Sequence, residues 1–289
     1  MKIAVTGASG FIGTELLAVL NKREDIGIIA LTRDASLCSG DDQIEWRSTD
    51  YSENSLATAL EGADSVIHLA GVRGTESDPA KFAANEAMTK ALLAAMTKAG
   101  AGRIVFASTV SVYDDDSLMP WTEDAPLGGR NAYGDSKAAC EKLIRDAAEE
   151  CGITYGIARI AQVLGEGERR RGMMNVFIDT SREHGTLKVM GKSVAKKQYI
   201  YVKDLVEVLT MLAVDIKDNT IVNVGMKEVH SNLEIAKIVN EVFGNPSPID
   251  YDDSYPETGR PFHMNTEKLR TELGFTPLEM KEALADMQE

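Results

Sequence analysis

Residues 1–13, MKIAVTGASGFIG, decide the class of fold. A short apolar run from Lys2 to Thr6 is typical of a buried strand, and it leads through three glycines into a predicted helix that begins at Phe11. Glycines placed between a strand and a helix allow a tight turn whose backbone N–H groups approach a pyrophosphate at the positive end of the helix. We therefore predict a dinucleotide site at this turn. The residues that the turn contributes are Gly7, Ser9, Gly10, Phe11, Ile12 and Gly13.

The first half of the chain repeats the alternation of short strands with helices. Further strands are predicted at 27–31, 65–69, 103–107 and 154–160, and helices at 79–98 and 132–150. Such alternation is typical of a parallel sheet with helices on both faces. The predicted fold class is α/β, a doubly wound parallel Rossmann sheet with a smaller C-terminal α/β substrate lobe.

The regular alternation of strands and helices becomes less clear after Gly165, where the charged stretch 166–172 marks a candidate domain boundary. Within that stretch, Arg169 to Arg171 either cap an anionic substrate or form a solvated loop. The predicted domains are an NAD(P)-binding Rossmann domain at 1–165, with returns to the sheet around 198–225, and a substrate lobe built from 166–197 and 226–289.

The composition excludes several classes of protein. The 289 residues carry 31 Lys and Arg against 45 Asp and Glu, a net charge of −14, which repels nucleic acid and anionic membranes. Only Cys38, Cys140 and Cys151 are available as thiols, without a CxxC pair, and the four histidines are scattered, so we predict neither a disulfide framework nor a metal site. Without a signal segment or an apolar run of roughly 20 residues, we expect a cytoplasmic protein that contacts neither membrane nor nucleic acid.

Arg33 bears on the choice between NAD and NADP. An acidic residue about 20 positions after the last glycine favours NAD, because it binds the adenine ribose. Here that position is Arg33, which could pair with a 2′-phosphate, so the sequence leans towards NADP. Asp34 could still reach the ribose, and Arg33 could simply be solvated.

Tyr133 and Lys137 lie four residues apart near the start of a predicted helix, which places both on one face. There, the Lys137 ammonium could lower the pKa of the Tyr133 phenol and make it a usable acid and base. Upstream, the hydroxyl residues Ser108, Thr109 and Ser111 follow a strand, and ligands of doubly wound sheets bind at such strand ends. Because these hydroxyl residues occur together with the glycine turn and with Tyr133 and Lys137, a catalytic role is favoured over ordinary capping of a helix or turn.

At this point the chain resembles the extended short-chain dehydrogenases/reductases of the NAD-dependent epimerase/dehydratase group, in particular the nucleotide-sugar 4-epimerases. The resemblance covers essentially the whole chain. The matching segments are TGASGFIG (6–13), Asp50, HLAG (68–71), Asn85, STVSVY (108–113), YGDSK (133–137), ARIAQVLGEG (158–167), YIYVKDL (199–205), VNVG (222–225) and LGFTP (273–277).

The resemblance implies roles for individual residues. Thr109, Tyr133 and Lys137 match the catalytic Ser/Thr, the general base and its partner. The further cofactor-binding positions that it implies are Asp50, Tyr51, Leu69, Ala70, Gly71, Asn85 and Ala107, with Tyr133 and Lys137 also holding the nicotinamide ribose. The substrate-binding positions are Arg73, Thr109, Ser111, Gln162, Lys197 and Arg260. It also implies a homodimer built on the helices around 82–98 and 133–150.

Two departures from the family pattern concern the substrate. Gln162 stands where the family carries an Asn that contacts substrate, and Asp114 to Asp116 stand where Gly is usual. Val110 and Ser111 replace the Asp-Glu pair of the 4,6-dehydratases, which disfavours that reaction. The sequence predicts a nucleotide-sugar epimerase of the UDP-sugar 4-epimerase type. An NADP-dependent sugar dehydrogenase or keto-sugar reductase is the alternative, and the presence of both Tyr133 and Lys137 counts against a non-enzymatic binding protein.

Overall fold

The apolar run before the glycine turn forms the central strand of a parallel sheet. The structure, a computed structural model, describes residues 1–39, 43–168, 172–257 and 259–288. The strands of these residues are β1 (Lys2–Thr6), β2 (Gly27–Thr32), β3 (Ile44–Ser48), β4 (Ser65–His68), β5 (Arg103–Thr109), β6 (Thr154–Ile160), β7 (Gln162–Leu164), β8 (Leu187–Met190), β9 (Lys197–Tyr201), β10 (Thr220–Val224), β11 (Val229–His230) and β12 (Ile249–Asp252). The α-helices are α1 (Phe11–Leu20), α2 (Glu53–Ala59), α3 (Ala83–Ala99), α4 (Ala132–Cys151), α5 (Met173–Arg182), α6 (Val202–Val214), α7 (Asn232–Val242), α8 (Glu267–Glu272) and α9 (Met280–Asp286).

Seven strands form the main sheet in the order β10-β6-β5-β4-β1-β2-β3. The pairings from β6 across to β3 are all parallel, for example Ile3 opposite Ile28 and Ile3 opposite Ser65. The strand order reverses between β1 and β4, and ligands of doubly wound sheets bind outside the strand ends at such a switch point. The predicted fold class is confirmed.

Burial explains why β1 reads as a continuous apolar run. Ile3, Ala4 and Val5 are fully buried, since a parallel sheet is covered on both faces. On one face, α2, α3 and α4 pack against the sheet around a cluster that includes Leu92, Phe106 and Ile144. This packing fixes α4 beside the end of β5, which is where the hydroxyl residues lie.

The chain divides into two compact units. The first comprises Met1–Asp115, Ala125–Ile160 and Leu205–Val222, and the second comprises Asp116–Asp124, Ala161–Asp204 and Asn223–Glu289. The domain boundaries given above remain predictions. They do not include Asp116–Asp124, which belongs to the second unit because Trp121 pairs with that unit: its N–H donates to the His263 carbonyl (2.9 Å) and its carbonyl accepts from Asn265 (2.8 Å).

Within the second unit, β11, β9 and β7 form a three-stranded sheet, and β12 pairs in parallel with β8. Gln198 on β9 is fully buried, and its amide donates to the carbonyls of Met226 (2.7 Å) and Met264 (3.1 Å). These bonds tie β9 to two later segments of the chain. Among the described residues, no helix is long and apolar enough to cross a membrane.

Candidate active site

The glycine turn requires glycine at positions 7 and 13, where there is no room for a Cβ, and it leaves little room for one at Gly10. Gly7 has φ of +69°, and a Cβ there would lie 2.9 Å from the Ala70 nitrogen. A Cβ on Gly13 would lie only 2.3 Å from the Gly7 carbonyl oxygen, so the helix packs directly on the turn. Gly10 caps α1 with extended backbone and donates to the Gly7 carbonyl (3.0 Å). These contacts bring backbone N–H groups to the open end of α1, as anion binding requires.

A tyrosine closes the turn from the side of β3. The Gly7 N–H donates to the Tyr51 hydroxyl (3.3 Å), and Tyr51 itself has φ of +65°. Burial raises the pKa of the Tyr51 phenol, against the Gly7 hydrogen bond and the positive charge of Arg33. Arg33 is exposed at the end of β2, and its positive charge acts on the Tyr51 hydroxyl.

The carboxyl groups of Asp34 and Asp50 accept hydrogen bonds from residues of their own local turns. Asp34 accepts hydrogen bonds from the Ser36 N–H (3.0 Å) and hydroxyl (2.6 Å), which lower the pKa of its carboxyl group. Asp50 accepts from the Ser52 N–H (2.8 Å), and its hydrogen bonds to Ser52 lower its pKa in the same way. Both carboxylates are exposed and ionised beside the turn.

The segment after β4 lies against the glycine turn because His68 and Thr6 hold it. Thr6 Oγ1 lies 2.7 Å from His68 Nδ1 and accepts the Ala70 N–H at 3.1 Å. Burial, and then the charge of Lys137, lower the pKa of His68 to about 3, so this imidazole is neutral. The predicted cofactor residues Leu69 and Ala70 are thereby placed directly on Gly7.

The start of α4 fixes the position of Tyr133. Asn131 caps the helix, and its side-chain oxygen accepts the Gly134 N–H at 2.9 Å. Gly134 has no room for a Cβ, which would lie 2.0 Å from the Ser111 carbonyl oxygen. The first turn of α4 therefore packs on the segment that follows β5, and Tyr133 comes within hydrogen-bonding distance of Thr109.

Tyr133 and Thr109, which the sequence predicts to be catalytic, lie close together in this unit. Burial raises the pKa of the Tyr133 phenol, while the hydrogen bond from Thr109 and the positive charge of Arg73 lower it. The role of Lys137 in lowering this pKa remains a prediction. The Lys137 ammonium lies 4.2 Å from the centre of the Phe106 ring.

Lys137 is buried beside the end of β5. Burial lowers its pKa to about 8, against the charges of Cys140 and Glu141. Since its ammonium is buried and faces Phe106, an ordered hydroxyl of a bound ligand is a suitable partner for it. Cys140, one turn further on, is buried as predicted.

Sequence reasoning missed three residues that hold the pair in place. Arg159 Nη2 lies 2.8 Å from Glu141 Oε2, both groups being almost fully buried, and Ser108 donates to Glu141 Oε1 (2.5 Å). The spacing from Lys137 to Glu141 signals a helix face but not this pairing. Gly74 is the third, because a Cβ there would lie 2.7 Å from Cδ1 of Tyr133.

The remaining predicted cofactor and substrate residues of the first unit divide by burial. Ala107 and Asn85 are buried, Ser111 is half-buried, and Gly71 and Arg73 are exposed. The Asn85 side chain is engaged by the protein, because its Oδ1 accepts the Val72 N–H at 2.6 Å. Its contact with a cofactor remains a prediction.

The other predicted substrate residues lie in the second unit. Gln162 is exposed on β7. Lys197 is half-buried and donates to Asn232 Oδ1 (3.2 Å), and burial lowers its pKa. Gly259 lies against the Lys197 side chain, so the structure brings Arg260 into the same region, where it forms an ion pair with Asp116 (2.9 Å). Arg169 to Arg171 lie outside the described residues.

The glycine turn at the switch point, together with Thr109 at the end of β5 and Tyr133 and Lys137 near the start of α4, defines a dinucleotide-binding enzyme of the Rossmann class. The model of the NAD dependent epimerase/dehydratase family matches residues 3–225. The chain belongs to this family.

Known proteins resemble the chain along nearly its whole length. A UDP-glucose 4-epimerase from Corynebacterium glutamicum is 27% identical, over 96% of this chain and 91% of that protein. The structure of a UDP-N-acetylglucosamine 4-epimerase from Bacillus cereus matches with a TM-score of 0.88 at 28% identity, over 99% of this chain and 95% of that one. MoeE5, solved in complex with UDP-glucose and NAD, matches with a TM-score of 0.81 at 26% identity, over 99% and 96% of the two chains.

Proposed function

We propose that the protein is a nucleotide-sugar 4-epimerase that acts on UDP-sugars. The observation that carries this proposal is the packing of the first turn of α4 on the segment that follows β5, which puts Tyr133 and buried Lys137 beside Thr109 at the strand end. The relatives named as UDP-sugar 4-epimerases match this chain from end to end, which supports the same substrate class.

The residues present fit a nicotinamide dinucleotide. The cradle at Gly7, Gly10 and Gly13 leaves the backbone accessible where a Cβ would collide, and the positive end of α1 suits a pyrophosphate. In this proposal buried Lys137 holds the nicotinamide ribose. When bound, the dinucleotide supplies reversible hydride transfer to and from the sugar carbon.

Tyr133 is the general base and acid in this proposal. Its phenolate accepts the proton of the sugar hydroxyl during oxidation to a ketone, and the phenol returns the proton after the ketone has presented its other face. The Thr109 hydroxyl donates to the reacting oxygen and keeps it near Tyr133. Because the two half-reactions cancel, the epimerase consumes no net reductant.

For the cofactor we propose NADP rather than NAD. Arg33 is exposed at the end of β2, close enough for its charge to act on Tyr51, and Asp34 is engaged with Ser36. An Arg at this place pairs with a 2′-phosphate, whereas an acidic residue binds the ribose 2′-hydroxyl. The same observation favours the second candidate, an NADP-dependent dehydrogenase or keto-sugar reductase that exchanges its cofactor.

We also propose a homodimer and a cytoplasmic location. Ala91 and Ala94 of α3 and Ala138 and Ala139 of α4 are only half-buried, so these helices present small side chains that permit close helix packing. The three cysteines are free thiols, which is consistent with a reducing compartment. Sedimentation of the purified protein tests the dimer.

The decisive experiment is to incubate the purified protein with UDP-glucose, UDP-N-acetylglucosamine and UDP-glucuronic acid, and to follow the 4-epimers by NMR. Mass spectrometry of the heat-denatured protein identifies any dinucleotide that it retained. Epimer formation that Tyr133→Phe abolishes and that Tyr255→Phe, a change of an exposed tyrosine, leaves intact supports the epimerase. Turnover that requires added NADPH and yields a reduced sugar supports the reductase instead.

A further inference from the structure

The bend that follows β3 holds Tyr51 in an unusual backbone conformation. Tyr51 has φ of +65°, in the left-handed region that bulky residues rarely adopt. Such a conformation persists only where the surrounding structure fixes it, and residues held in this way cluster at functional sites. The bend therefore keeps the Tyr51 side chain in its position at the expense of local conformational energy.

The buried residue Thr49 fixes this bend. Its N–H donates to the Thr32 carbonyl (2.8 Å), which continues the pairing of β3 with β2. Its side-chain oxygen accepts the Tyr51 N–H (3.0 Å) and the hydroxyl of Ser55 in α2 (3.1 Å). One side chain thus bonds the bend to α2, while its backbone bonds the bend to β2, and the backbone of Tyr51 is held from both sides.

The Tyr51 side chain reaches across the sheet to the glycine turn. Tyr51 follows β3 and Gly7 follows β1, and β2 lies between these two strands. The Gly7 N–H nevertheless donates to the Tyr51 hydroxyl (3.3 Å). The side chain therefore lies across the carboxyl end of β2, where the adenosine half of a dinucleotide binds in doubly wound sheets.

The hydroxyl completes the bonding of the first peptide groups of the turn. The Gly7 carbonyl accepts the Gly10 N–H (3.0 Å), so with Tyr51 both backbone polar groups of Gly7 are engaged within the protein. The N–H groups at the start of α1 are left for the phosphates of a ligand. A turn that is ordered before the ligand arrives binds it more tightly, because less conformational freedom is lost on binding.

We propose that Tyr51 is a positioning residue of the dinucleotide site, whose hydroxyl anchors the first peptide of the glycine turn to the bend after β3 and thereby sets the affinity for the cofactor. This inference rests on the proposed dinucleotide cofactor. Because the hydroxyl and not the ring makes the bond to Gly7, the loss of one oxygen atom should be enough to weaken binding.

The test is Tyr51→Phe, which removes that oxygen atom and keeps the ring. We expect the Kd values for NAD and NADP, measured by calorimetry, to rise about fivefold, the effect of one lost hydrogen bond. Most of this change should be faster dissociation, which stopped-flow fluorescence of NADPH measures. In 15N-labelled protein the Gly7 amide proton should exchange faster with solvent, because it has lost its acceptor. The Kd for UDP should stay unchanged.

Tyr155→Phe is the matched control. Tyr155 on β6 is half-buried and packs on the same core cluster as Tyr51, but β4 and β5 separate its strand from β1. Its substitution should change neither the dinucleotide affinity nor the exchange of the Gly7 amide.

Thr49→Val tests whether the bend acts through the hydroxyl. It removes the acceptor of the Tyr51 N–H and keeps the shape of the buried side chain. We expect it to weaken dinucleotide binding in the wild type and to add nothing in the Tyr51→Phe background, because the two changes then interrupt the same connection.

Three outcomes overturn the proposal. The first is an unchanged or lower dinucleotide Kd in Tyr51→Phe, since the Gly7 N–H then needs no anchor. The second is additive losses for Thr49→Val and Tyr51→Phe. The third is an equal loss of UDP affinity, which indicates general damage to the fold. Failure of the proposed cofactor is recognised separately: the wild type then binds neither dinucleotide, while the exchange of the Gly7 amide still reports whether the hydroxyl holds the turn.

Discussion

Arg159 and Glu141 form a buried ion pair directly behind the strand end that carries Thr109. Arg159 Nη2 lies 2.8 Å from Glu141 Oε2, and the two side chains are 2% and 0% exposed. Burial opposes the charge on Arg159, but the hydrogen bonds and charge of Glu141 more than offset it, so the pKa of the guanidinium is raised. Ser108 and the Tyr113 hydroxyl (2.8 Å from Arg159 Nη1) complete the network, which joins β5, β6 and α4.

We predict that Arg159→Met destabilises the protein by about 3–5 kcal/mol, because it leaves the Glu141 carboxylate buried and unpaired. Urea unfolding monitored by circular dichroism measures the loss. Changing both partners, Arg159→Met with Glu141→Leu, should recover most of it, since neither charge is then stranded.

The control for this prediction is the exposed pair of Arg23 with Asp25 (3.1 Å), where Arg23→Met should cost less than about 1 kcal/mol. Equal losses at the buried and exposed pairs would show that the Arg159 network does not contribute as the geometry indicates.

Gly13→Ala should abolish cofactor binding. Its Cβ would lie 2.3 Å from the Gly7 carbonyl oxygen and 2.6 Å from that of Ala8, so the turn must open to admit it. We expect the affinity for a nicotinamide dinucleotide, measured by calorimetry, to fall at least about 100-fold, since a 1 Å displacement of a positioned group has effects of that size. Gly102→Ala is the matched control, because a Cβ there meets nothing within 4 Å. A Gly13→Ala protein that binds dinucleotide normally would contradict the proposed cradle.

Arg33→Ser should reverse the cofactor preference. Removing the guanidinium loses a charge-assisted contact to the 2′-phosphate and leaves NAD contacts intact. We therefore expect the Kd for NADP to rise about tenfold or more, while the Kd for NAD changes little. Calorimetric titration of both proteins with both cofactors measures this. If the wild type binds NAD more tightly, Arg33 is a solvated cation and the NADP proposal is wrong.

The central elements could be predicted because their sequence pattern reflects their own burial. Lys2–Thr6 and Thr154–Ile160 are observed with the bounds that the sequence predicts, since both are rich in residues that favour strands and are mostly buried. The short elements β12 and α2 are harder to recognise. Ile249–Asp252 has two exposed and two half-buried residues, and α2 spans only seven residues, so neither has a long apolar stretch or helical repeat.

At the site, features that depend on a short stretch of sequence could also be predicted, whereas contacts between distant segments could not. The glycine turn and the spacing of Tyr133 and Lys137 are local features that a sequence displays. The position of the segment after β4 is not, because the Asn85 side chain holds it through hydrogen bonds to Val72 and Ser136, which lie 13 and 51 residues away in the chain. The contact of the Lys137 ammonium with the Phe106 ring likewise joins α4 to a distant strand, and the spacing of Tyr133 and Lys137 does not reveal it.

His68 makes the stability of the protein depend on pH. Its folded-state pKa, lowered by burial and by Lys137 to about 3, lies below the ordinary value of 6.5. Above 6.5 the imidazole is neutral in both states, and its contribution to stability is fully present. As the pH falls from 6.5 towards 3, the unfolded chain binds a proton that the folded protein excludes, and stability is lost at about 1.4 kcal/mol per pH unit.

His68→Asn should remove this dependence while keeping a polar group near Thr6. The free energy of unfolding is measured by urea titration in the upper part of the window, where Asp and Glu remain ionised. His184→Asn is the control, since His184 is exposed and Asn tolerates its positive φ of 54°. We expect the wild type and His184→Asn to lose stability in parallel as the pH falls, and His68→Asn to lose less per pH unit. Parallel curves for all three would mean that His68 becomes protonated without unfolding, and that the bond from Thr6 to the Ala70 segment does not need a neutral imidazole.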